Sequence, residues 1–372
     1  MVQPSKELLN RAFRRANAQR HNKKIKNEAS QERNRTARTM ETFQKELGAP
    51  LGLYVSSFPK VEALTSFDAA LLDLTVGKGT YEQTLDRVAA VKKTVSRMAK
   101  ELATRGARAQ TKKEAELVRE QGLADLEKYL KNAAGAVDSL LDIAKLLRRL
   151  PVVDPRLPTV ALVGAPNVGK SSLVQALSSG QPEIQNYPFT TRTIKMGHFY
   201  VCGQRHQVTD TPGLLARAEA DRNVMERLTL ATLDFLPTAV LFVADLTEEC
   251  GVSAEQQWAV RVALKARFPR KRWVDVFSKA DLLEGMRRRG QEERGSAAAK
   301  SNQSEVDLDP SLVKLPSDWP RYLPHAIWAS SFTDAGCAQL KGALLEALAH
   351  PESGEEMEMV KSSEGMKKLD IV

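Results

Sequence analysis

The sequence predicts two domains: an all-α helical bundle, and after it an α/β domain built on a mostly parallel, six-stranded sheet. Residues 5–149 carry apolar side chains with a period of 3.6 and charges on the opposite faces, which is typical of packed helices. Strand-like and helix-like segments then alternate over residues 159–349, the pattern of a sheet covered on both faces. Residues 151–158 contain three prolines and form the expected linker.

Four helices are expected in the first domain. The first is a long, very polar helix over residues 5–47 that stops at Gly48-Ala49-Pro50, because glycine and proline end helices. A short amphipathic helix over 60–75 follows, and two longer helices cover 80–104 and 111–149.

The positive charge of the chain lies in this first domain. Residues 1–150 hold 29 Lys and Arg against 18 Asp and Glu, whereas residues 151–372 hold 26 against 28. Such an imbalance predicts a polyanionic partner, most plausibly nucleic acid. For residues 5–47 two interpretations remain open: a solvated or disordered basic arm, or a segment that lies along a phosphate backbone. Aromatic residues are too few there for a base-stacking platform.

The composition excludes several classes of protein. No apolar run reaches the roughly 18 residues that a membrane span needs, and the first residues do not form a signal peptide. Acidic residues near the N-terminus argue against an intact organellar transit peptide. Cys202, Cys250 and Cys337 are far apart, so we expect reduced thiols and no disulfide-linked partner. The five histidines form no metal-binding pattern.

One stretch organises the second domain, and it reads Gly164-Ala165-Pro166-Asn167-Val168-Gly169-Lys170-Ser171. It fits the phosphate-binding pattern G-x-x-x-x-G-K-[ST]. The apolar run 159–163 before it predicts a buried strand, and residues 172–177 after it predict a helix. Backbone N–H groups of such a loop wrap phosphates, Lys170 reaches the β- and γ-phosphates, and the Ser171 hydroxyl holds Mg²⁺.

Two further segments complete the expected phosphate site. Residues 186–192 form a polar, turn-rich stretch in which Thr191 can offer a hydroxyl to Mg²⁺ when a γ-phosphate is present. Asp210-Thr211-Pro212-Gly213 follows a strand-like run, and an aspartate there is the second metal-side group of such sites. Gly213 lacks a side chain, so its N–H can approach the γ-phosphate closely.

The remaining elements alternate as the fold class requires. Strands are expected at 193–201, 207–209, 239–245, 273–277 and 326–329, and helices at 222–235, 253–267 and 336–349. The expected helical domain is 1–157 and the α/β domain 158–350. Within it, residues 284–318 are expected to be a disordered insertion, and residues 351–372 a disordered tail.

These motifs together resemble the Obg–Nog type GTPases. The matches most specific to the Nog (nucleolar GTP-binding protein) branch are Gly197-His198, Asp210-Thr211-Pro212-Gly213-Leu214-Leu215, Asp221-Arg222-Asn223 and Asp245-Leu246-Thr247-Glu248-Glu249-Cys250-Gly251. The helical first half is similar to the N-terminal domain of that branch. The chain looks like a short form, as found in archaea and in plant or algal organelles.

The resemblance implies an α/β P-loop GTPase fold and a role for each matching residue. Ser171 and Thr191 would ligate Mg²⁺, with Asp210 holding it through water. Lys279 would lie over the guanine, Asp281 would pair with its N1 and N2, and a Ser330 N–H would approach O6. The expected nucleotide-binding residues are Gly164, Ala165, Pro166, Asn167, Val168, Gly169, Lys170, Ser171, Ser172, Asp210, Thr211, Pro212, Gly213, Ser278, Lys279, Asp281, Ser330 and Ser331. Lys170, Thr191, Gly213 and Asn167 are expected to act in hydrolysis.

Two positions depart from the usual pattern. Ser278 stands where the guanine motif normally begins with Asn, so fewer contacts hold the base. Leu214 replaces a water-positioning Gln and cannot orient water by hydrogen bonding. Some relatives use an asparagine at the position of Asn167 to ligate K⁺, so we expect slow hydrolysis that potassium or a partner raises.

The function that the resemblance implies is a GTP-hydrolysing switch in large ribosomal subunit assembly. Residues 1–150 would bind ribosomal RNA or a pre-ribosomal particle. Two alternatives stay open: a non-hydrolysing nucleotide-binding scaffold, and an ATPase of the same fold. The expected compartment is the nucleolus, a chloroplast or a mitochondrion.

Overall fold

A computed structural model of the chain describes residues 2–150, 157–179, 182–185, 194–201, 204–217, 221–283, 315–333 and 335–349. The fold consists of two compact units, which divide between Arg149 and Leu150. Most of the expected linker, residues 151–156, and the expected tail, residues 351–372, lie outside the described residues.

The first unit is all α-helical. Its helices are α1 (Ser5–Asn17), α2 (Glu28–Ser57), α3 (Ser66–Val76), α4 (Thr80–Arg108) and α5 (Lys112–Leu147). Their buried faces form a shared core that includes Leu8, Ala12, Phe43, Leu47, Val88, Val95, Leu126 and Leu140. The expected bundle of amphipathic helices is confirmed.

The prediction of a single helix over residues 5–47 is wrong in two places: a loop interrupts it, and the second helix continues beyond residue 47. The chain leaves the helix after Asn17 and re-enters at Glu28, where the Asn27 side chain accepts a hydrogen bond from the Ser30 N–H. Side chains of α2 hold the connecting loop: Arg35 Nε donates to the Gln19 carbonyl at 3.0 Å. Because the polar sequence pattern continues through the loop between α1 and α2, the two helices were predicted as one.

At the other end, α2 continues through Pro50 to Ser57. Proline in a helix interior costs about 3 kcal/mol. Leu47, Leu51 and Tyr54 nevertheless lie on one buried face, each at most 5% exposed. The packing of that face outweighs the local cost, so tertiary structure overrides the stop signal.

A fully buried carboxylate links the loop before α2 to the bundle. Glu32 has no exposed surface, and its Oε1 accepts a hydrogen bond from Arg119 Nε of α5 at 3.1 Å. Its Oε2 lies 2.8 Å from His21 Nε2 in the loop. A buried carboxylate is tolerated when cations lie close to it, and here Arg119 contacts Oε1 while Arg35 Nη1 lies 3.7 Å from Oε2.

The second unit is an α/β domain. Its elements are β1 (Thr159–Val163), α6 (Lys170–Leu177), β2 (Glu183–Gln185), β3 (Ile194–Val201), β4 (Gln204–Asp210), α7 (Val224–Phe235), β5 (Thr238–Ala244), α8 (Ala254–Arg267), β6 (Trp273–Phe277), α9 (Trp319–Tyr322), β7 (Ile327–Trp328) and α10 (Cys337–Ala349). The strand order is β2-β3-β4-β1-β5-β6-β7.

The sheet has seven described strands rather than the expected six. The additional strand is β2, three residues long, which pairs antiparallel with β3. β3 pairs antiparallel with β4, and the pairs from β4 through β7 are all parallel. The mostly parallel character is confirmed. A three-residue edge strand carries too little apolar pattern to be recognised from sequence.

Two apolar cores cover the faces of this sheet. One contains Leu230 and Leu233 of α7, Leu264 of α8 and the Trp258–Trp319 pair, whose ring centroids are 4.8 Å apart. The other contains residues of α6 and α10, among them Leu173, Val174, Leu340 and Leu344. With both faces covered, the edge where the parallel strands end is left for a ligand.

The predicted range of the disordered insertion, residues 284–318, extends too far at its C-terminal end. Residues 284–314 lie outside the described part, but Pro316–Asp318 forms a 3₁₀ helix that leads into α9. The Leu315 N–H donates to Asp318 Oδ2 at 2.9 Å, and Trp319 is fully buried. Within the described ranges, no helix is both long and apolar enough to cross a membrane.

Two helical glycines of the first unit should respond oppositely to alanine. A Cβ on Gly106 of α4 would lie 2.5 Å from Thr36 Cγ2, whereas a Cβ on Gly135 of α5 would meet nothing within 4 Å. We expect Gly106→Ala to lower the free energy of unfolding by about 1–3 kcal/mol through overpacking. Gly135→Ala should raise it by about 0.5–1 kcal/mol, because glycine is costly in a helix. Urea unfolding followed by far-UV circular dichroism measures both. Equal effects of the two changes would contradict the packing of α4 against α2.

Candidate functional site

The phosphate loop lies at the end of the central strand of the α/β unit. All five residues of β1 are buried, and β4 and β5 pair with it on either side. The loop leaves β1 at Gly164 and becomes α6 at Lys170, with Gly169 in the left-handed region at φ 91°. The first N–H groups of α6 therefore point to the same place as the loop, which is the arrangement that binds anions.

Two glycines allow the backbone to come close to its neighbours here. A Cβ on Gly164 would lie 2.2 Å from the Val243 carbonyl oxygen of β5. A Cβ on Gly213 would lie 2.5 Å from the Pro166 nitrogen. Since real Cβ atoms do not approach backbone so closely, both positions require glycine.

The lysine of the loop is held against the loop backbone. Lys170 is 6% exposed, and its Nζ donates to the carbonyl oxygens of Gly164 and Ala165 at 3.2 and 2.6 Å. The ammonium thus lies inside the curve of the loop, where an anion would meet it together with the helix N-terminus.

Ser171 and Asp210 meet directly. The Ser171 hydroxyl donates to Asp210 Oδ2, and Asp210 is the last residue of β4. Hydroxyl and carboxylate oxygens are the ligands that Mg²⁺ prefers, so this donor set fits the ion. The neighbouring Thr211 hydroxyl donates to the Leu162 carbonyl oxygen at 2.6 Å, and so fixes the chain beside β1.

The segment after Asp210 is tethered to the phosphate loop. The Leu214 N–H donates to the Gly164 carbonyl oxygen at 3.0 Å. The Leu214 side chain is fully buried in the core beneath α7 and α8. It therefore faces away from the phosphate loop and cannot orient a water molecule there.

The expected base-binding residues come together at the ends of β5, β6 and β7. Ser278 is 3% exposed, and its hydroxyl donates to the Ala244 carbonyl oxygen at 3.1 Å. A Cβ on Gly169 would lie 3.9 Å from Ser278 Cβ, so this serine packs against the phosphate loop. Ser278 therefore joins two parts of the site through packing.

Lys279 is held by two carboxylates. Its Nζ donates to Asp245 Oδ2 at 2.8 Å and to Glu249 Oε2 at 3.1 Å. Burial would raise the pKa of Asp245, but its hydrogen bonds with Lys279 and Thr247 outweigh burial and lower that pKa below its ordinary value. Burial would lower the pKa of Lys279, and its bonds to Asp245 and Glu249 raise it instead. The pair is therefore ionised at neutral pH.

Asp245 is itself fixed by a buried amide. Gln257 of α8 is fully buried, accepts from the Asp245 N–H at 2.9 Å and donates to the Asp245 carbonyl oxygen at 2.9 Å. Neither Asp245 nor Gln257 was predicted from the sequence as a site residue. The position of Asp245 directly after a buried strand could have indicated it, whereas no local sequence feature marks Gln257.

The other expected base contacts differ in exposure: Ser330 is 1% exposed, whereas Asp281 is exposed. Asp281 lies within the 3₁₀ helix Ala280–Leu282, two residues after Lys279. The Ser330 N–H, expected near guanine O6, donates to the Ala335 carbonyl oxygen at 2.9 Å. The Ser330 hydroxyl accepts from the N–H groups of the two loop residues after Ser331 at 3.2 Å each.

For two expected site residues, Thr191 and Asn167, the structure describes no contact with the residues above. Thr191 and the rest of 186–193 lie outside the described residues. Asn167 is exposed at the tip of the phosphate loop with φ 60°, a left-handed conformation that asparagine tolerates. Within the described part of the chain, no group of three or more His, Cys, Asp or Glu could hold a metal ion. Among the described residues, the oxygens that could contact a cation here are those of Ser171 and Asp210.

Two protein families match this chain. Residues 1–154 match the family described as NOG1 N-terminal helical domain. Residues 159–277 match the family described as 50S ribosome-binding GTPase, which spans the phosphate loop and ends one residue before Ser278.

Two curated relatives share a name. Nucleolar GTP-binding protein 1 of Arabidopsis thaliana is 28% identical over 90% of this chain and 48% of its own length. That of Encephalitozoon cuniculi is 31% identical over 64% of this chain and 45% of its own length. The chain thus spans about half the length of these relatives. A crystal structure titled putative nucleolar GTP-binding protein 1 from Plasmodium falciparum is 30% identical, with a TM-score of 0.38, over 54% of this chain and 90% of that one.

The two carboxylates on Lys279 should differ in importance. Asp245 is fully buried and Glu249 is 59% exposed, although each accepts from the same ammonium. We expect Asp245→Asn to weaken binding of a fluorescent GDP analogue by about tenfold or more, because charged hydrogen bonds of this kind contribute about 1.5–3 kcal/mol. Glu249→Gln is the matched control and should change affinity by less than about threefold. Equal losses would show that Asp245 does not position Lys279.

Proposed function

The chain belongs to the Nog branch of the GTP-binding proteins, and we propose that it is a guanine-nucleotide switch that hydrolyses GTP to GDP during large ribosomal subunit assembly. The switch is formed by the phosphate loop and by the loops that follow β5, β6 and β7, here called the base-side loops. The basic helical unit binds the ribosomal RNA or the pre-ribosomal particle. The names of the relatives and of the two families support this proposal.

The observation that carries the nucleotide part is the convergence of three segments on one edge of the sheet. Lys170 lies in the curve of the phosphate loop, Ser171 contacts Asp210, and Ser278 packs against Gly169. In this proposal these segments supply the phosphate-binding and base-binding groups. In this proposal Lys279 covers the guanine, and Asp281 accepts hydrogen bonds from its N1 and N2.

Mg²⁺ is the proposed cofactor. Ser171, Asp210 and Thr191 would hold it, and the ion would neutralise charge on the phosphates. In this proposal the Gly213 N–H binds the terminal phosphate, and the close approach of Gly213 to Pro166 of the phosphate loop supports it. Binding there would be transmitted to Leu214, which is tethered to Gly164.

The helical unit is the proposed RNA-binding part because it holds the entire basic excess. Lys23, Lys24 and Lys26 are exposed in the loop between α1 and α2. Exposed lysines bind phosphate backbones without reading sequence. The unit therefore offers affinity for a polyanion, and the choice of RNA would depend on its shape.

Slow hydrolysis is expected from the residues around the terminal phosphate. Leu214 is buried and leaves no side chain there to orient water. Asn167 is exposed at the tip of the loop, where its oxygen could ligate K⁺. Potassium or a ribosomal partner would then supply the missing stabilisation.

Single-turnover hydrolysis tests this expectation. The rate should be higher in potassium than in sodium, and Asn167→Ala should abolish the difference while GTP affinity stays within about threefold. Competition between GTP and ATP for a fluorescent analogue is the control for the ATPase alternative. A rate equal in the two salts, and unchanged in Asn167→Ala, would reject the potassium part. No turnover with or without ribosomal subunits would favour the scaffold alternative, for which Leu214 and Ser278 argue.

Co-sedimentation with ribosomal subunits tests the assembly role. We expect more protein in the large-subunit fraction with a GTP analogue than with GDP. Exchanging Lys23, Lys24 and Lys26 for Gln should reduce that fraction several-fold and weaken its dependence on salt. The matched control exchanges Lys100, Lys113 and Lys128, three exposed lysines elsewhere in the same unit.

Absence from every ribosomal fraction under both nucleotides would refute the assembly role. Equal losses in the two triple variants would refute only the importance of the loop between α1 and α2. The compartment is part of the proposal: the relatives are named nucleolar, and an organelle is the alternative.

A further inference from the structure

A small groove lies beside the tethered segment of the α/β unit. It has a volume of about 220 Å³ and is bounded by Leu214 to Arg217 on one side and by Val260, Ala263 and Leu264 of α8 on the other. Arg222 forms part of its wall. Six of its eight described lining residues are apolar, and none is aromatic or acidic.

Arg222 has two buried guanidinium nitrogens. Neither its Nε nor its Nη1 has a hydrogen-bond partner among the described residues. A buried guanidinium donor left without an acceptor costs free energy, because it has lost water and gained nothing. An acceptor on a molecule that enters the groove would remove that cost.

The size of the groove limits what can enter it. Drug-sized ligands occupy pockets of about 300–1,000 Å³, whereas a cavity of about 150 Å³ lined by aliphatic residues can hold benzene. A volume of about 220 Å³ therefore accommodates one side chain of the size of leucine or phenylalanine. The mainly apolar lining favours such a side chain over a phosphate, and without an aromatic residue it offers nucleic acid bases no stacking platform.

We propose that this groove binds a partner polypeptide through one leucine- or phenylalanine-sized side chain flanked by a carboxylate. The apolar side chain enters beside Ala216 and Ala263, which are exposed, and the carboxylate pairs with Arg222. Burial of an anchor next to one charge-assisted hydrogen bond is the usual composition of a binding hot spot. This goes beyond the proposed function, since neither the phosphate loop nor the base-side loops line the groove.

The backbone of the groove nevertheless joins the nucleotide site. The Leu215 N–H donates to Glu226 Oε1 at 3.2 Å, and Glu226 also caps α7 through Asn223. With the Leu214 N–H bound to the Gly164 carbonyl oxygen, two consecutive residues of the groove are held by hydrogen bonds to the rest of the fold.

A fluorinated peptide tests the proposal on the full chain bound to GDP. The probe is an acetylated pentapeptide with para-fluorophenylalanine between two aspartates, and its fluorine NMR line width reports binding. We expect broadening that Arg222→Gln reduces with an affinity loss of about tenfold or more, equivalent to about 1.4 kcal/mol. The same peptide with asparagines should bind weakly to begin with and be insensitive to that variant.

Two further variants keep the test decisive. Arg227→Gln removes the same charge from an exposed position of α7 that does not line the groove, and should change affinity by less than about twofold. Ala263→Trp fills the groove from its exposed α8 position and should abolish broadening. GDP affinity, measured on the same samples, should stay unchanged in all three variants. Its loss would instead indicate failure of the nucleotide site.

Three results would overturn the proposal. Equal losses for Arg222→Gln and Arg227→Gln would mean unspecific charge attraction. Displacement of the peptide by an oligouridylate, dependent on Arg222, would assign the groove to RNA. Self-association of the chain in light scattering that Arg222→Gln removes would assign it to a second copy.

Discussion

Close backbone contacts around the phosphate loop determine the arrangement of the α/β unit. Gly164 lies against the Val243 carbonyl of β5, and Gly213 lies against Pro166 of the loop itself. Through these contacts the central strands, the loop and the segment after β4 cannot shift independently. Close-packed protein interiors transmit strain, so these segments are displaced together. A ligand that moves Gly213 must therefore also move Leu214, which is buried between the sheet and two helices.

The end of the site where the base is expected to bind is organised by charge instead of close packing. Ser278 directs its hydroxyl to the Ala244 carbonyl, so it spends its donor within the fold. The position of Lys279 then depends on Asp245, which Gln257 holds from α8. A carboxylate buried in this way is stable only while its cation stays in place. The departure from the usual asparagine is thus accompanied by a network that fixes the neighbouring lysine.

Much of this architecture could be predicted from the sequence, because local patterns carried it. The phosphate loop, the strands β1, β5 and β6, and the helices α4 and α5 have strong periodicity or fixed motif spacing. The errors lie where distant residues decide. α2 passes through Pro50 because a buried face continues beyond it, and β2 exists because β3 offers an edge. Gln257 contributes to the site only because α8 packs over β5. Such contacts link positions far apart in the chain, and no local signal encodes them.

The length of the helices in the first unit also has a consequence for its target. At about 1.5 Å of rise per residue, the 30 residues of α2 extend about 45 Å and the 36 residues of α5 about 54 Å. Double-stranded DNA carries one negative charge per about 1.7 Å of its axis. A rod of the length of α2 laid along such a duplex would pass about 26 phosphates. If this unit binds RNA as proposed, a short oligonucleotide would therefore occupy only a fraction of the length of α2.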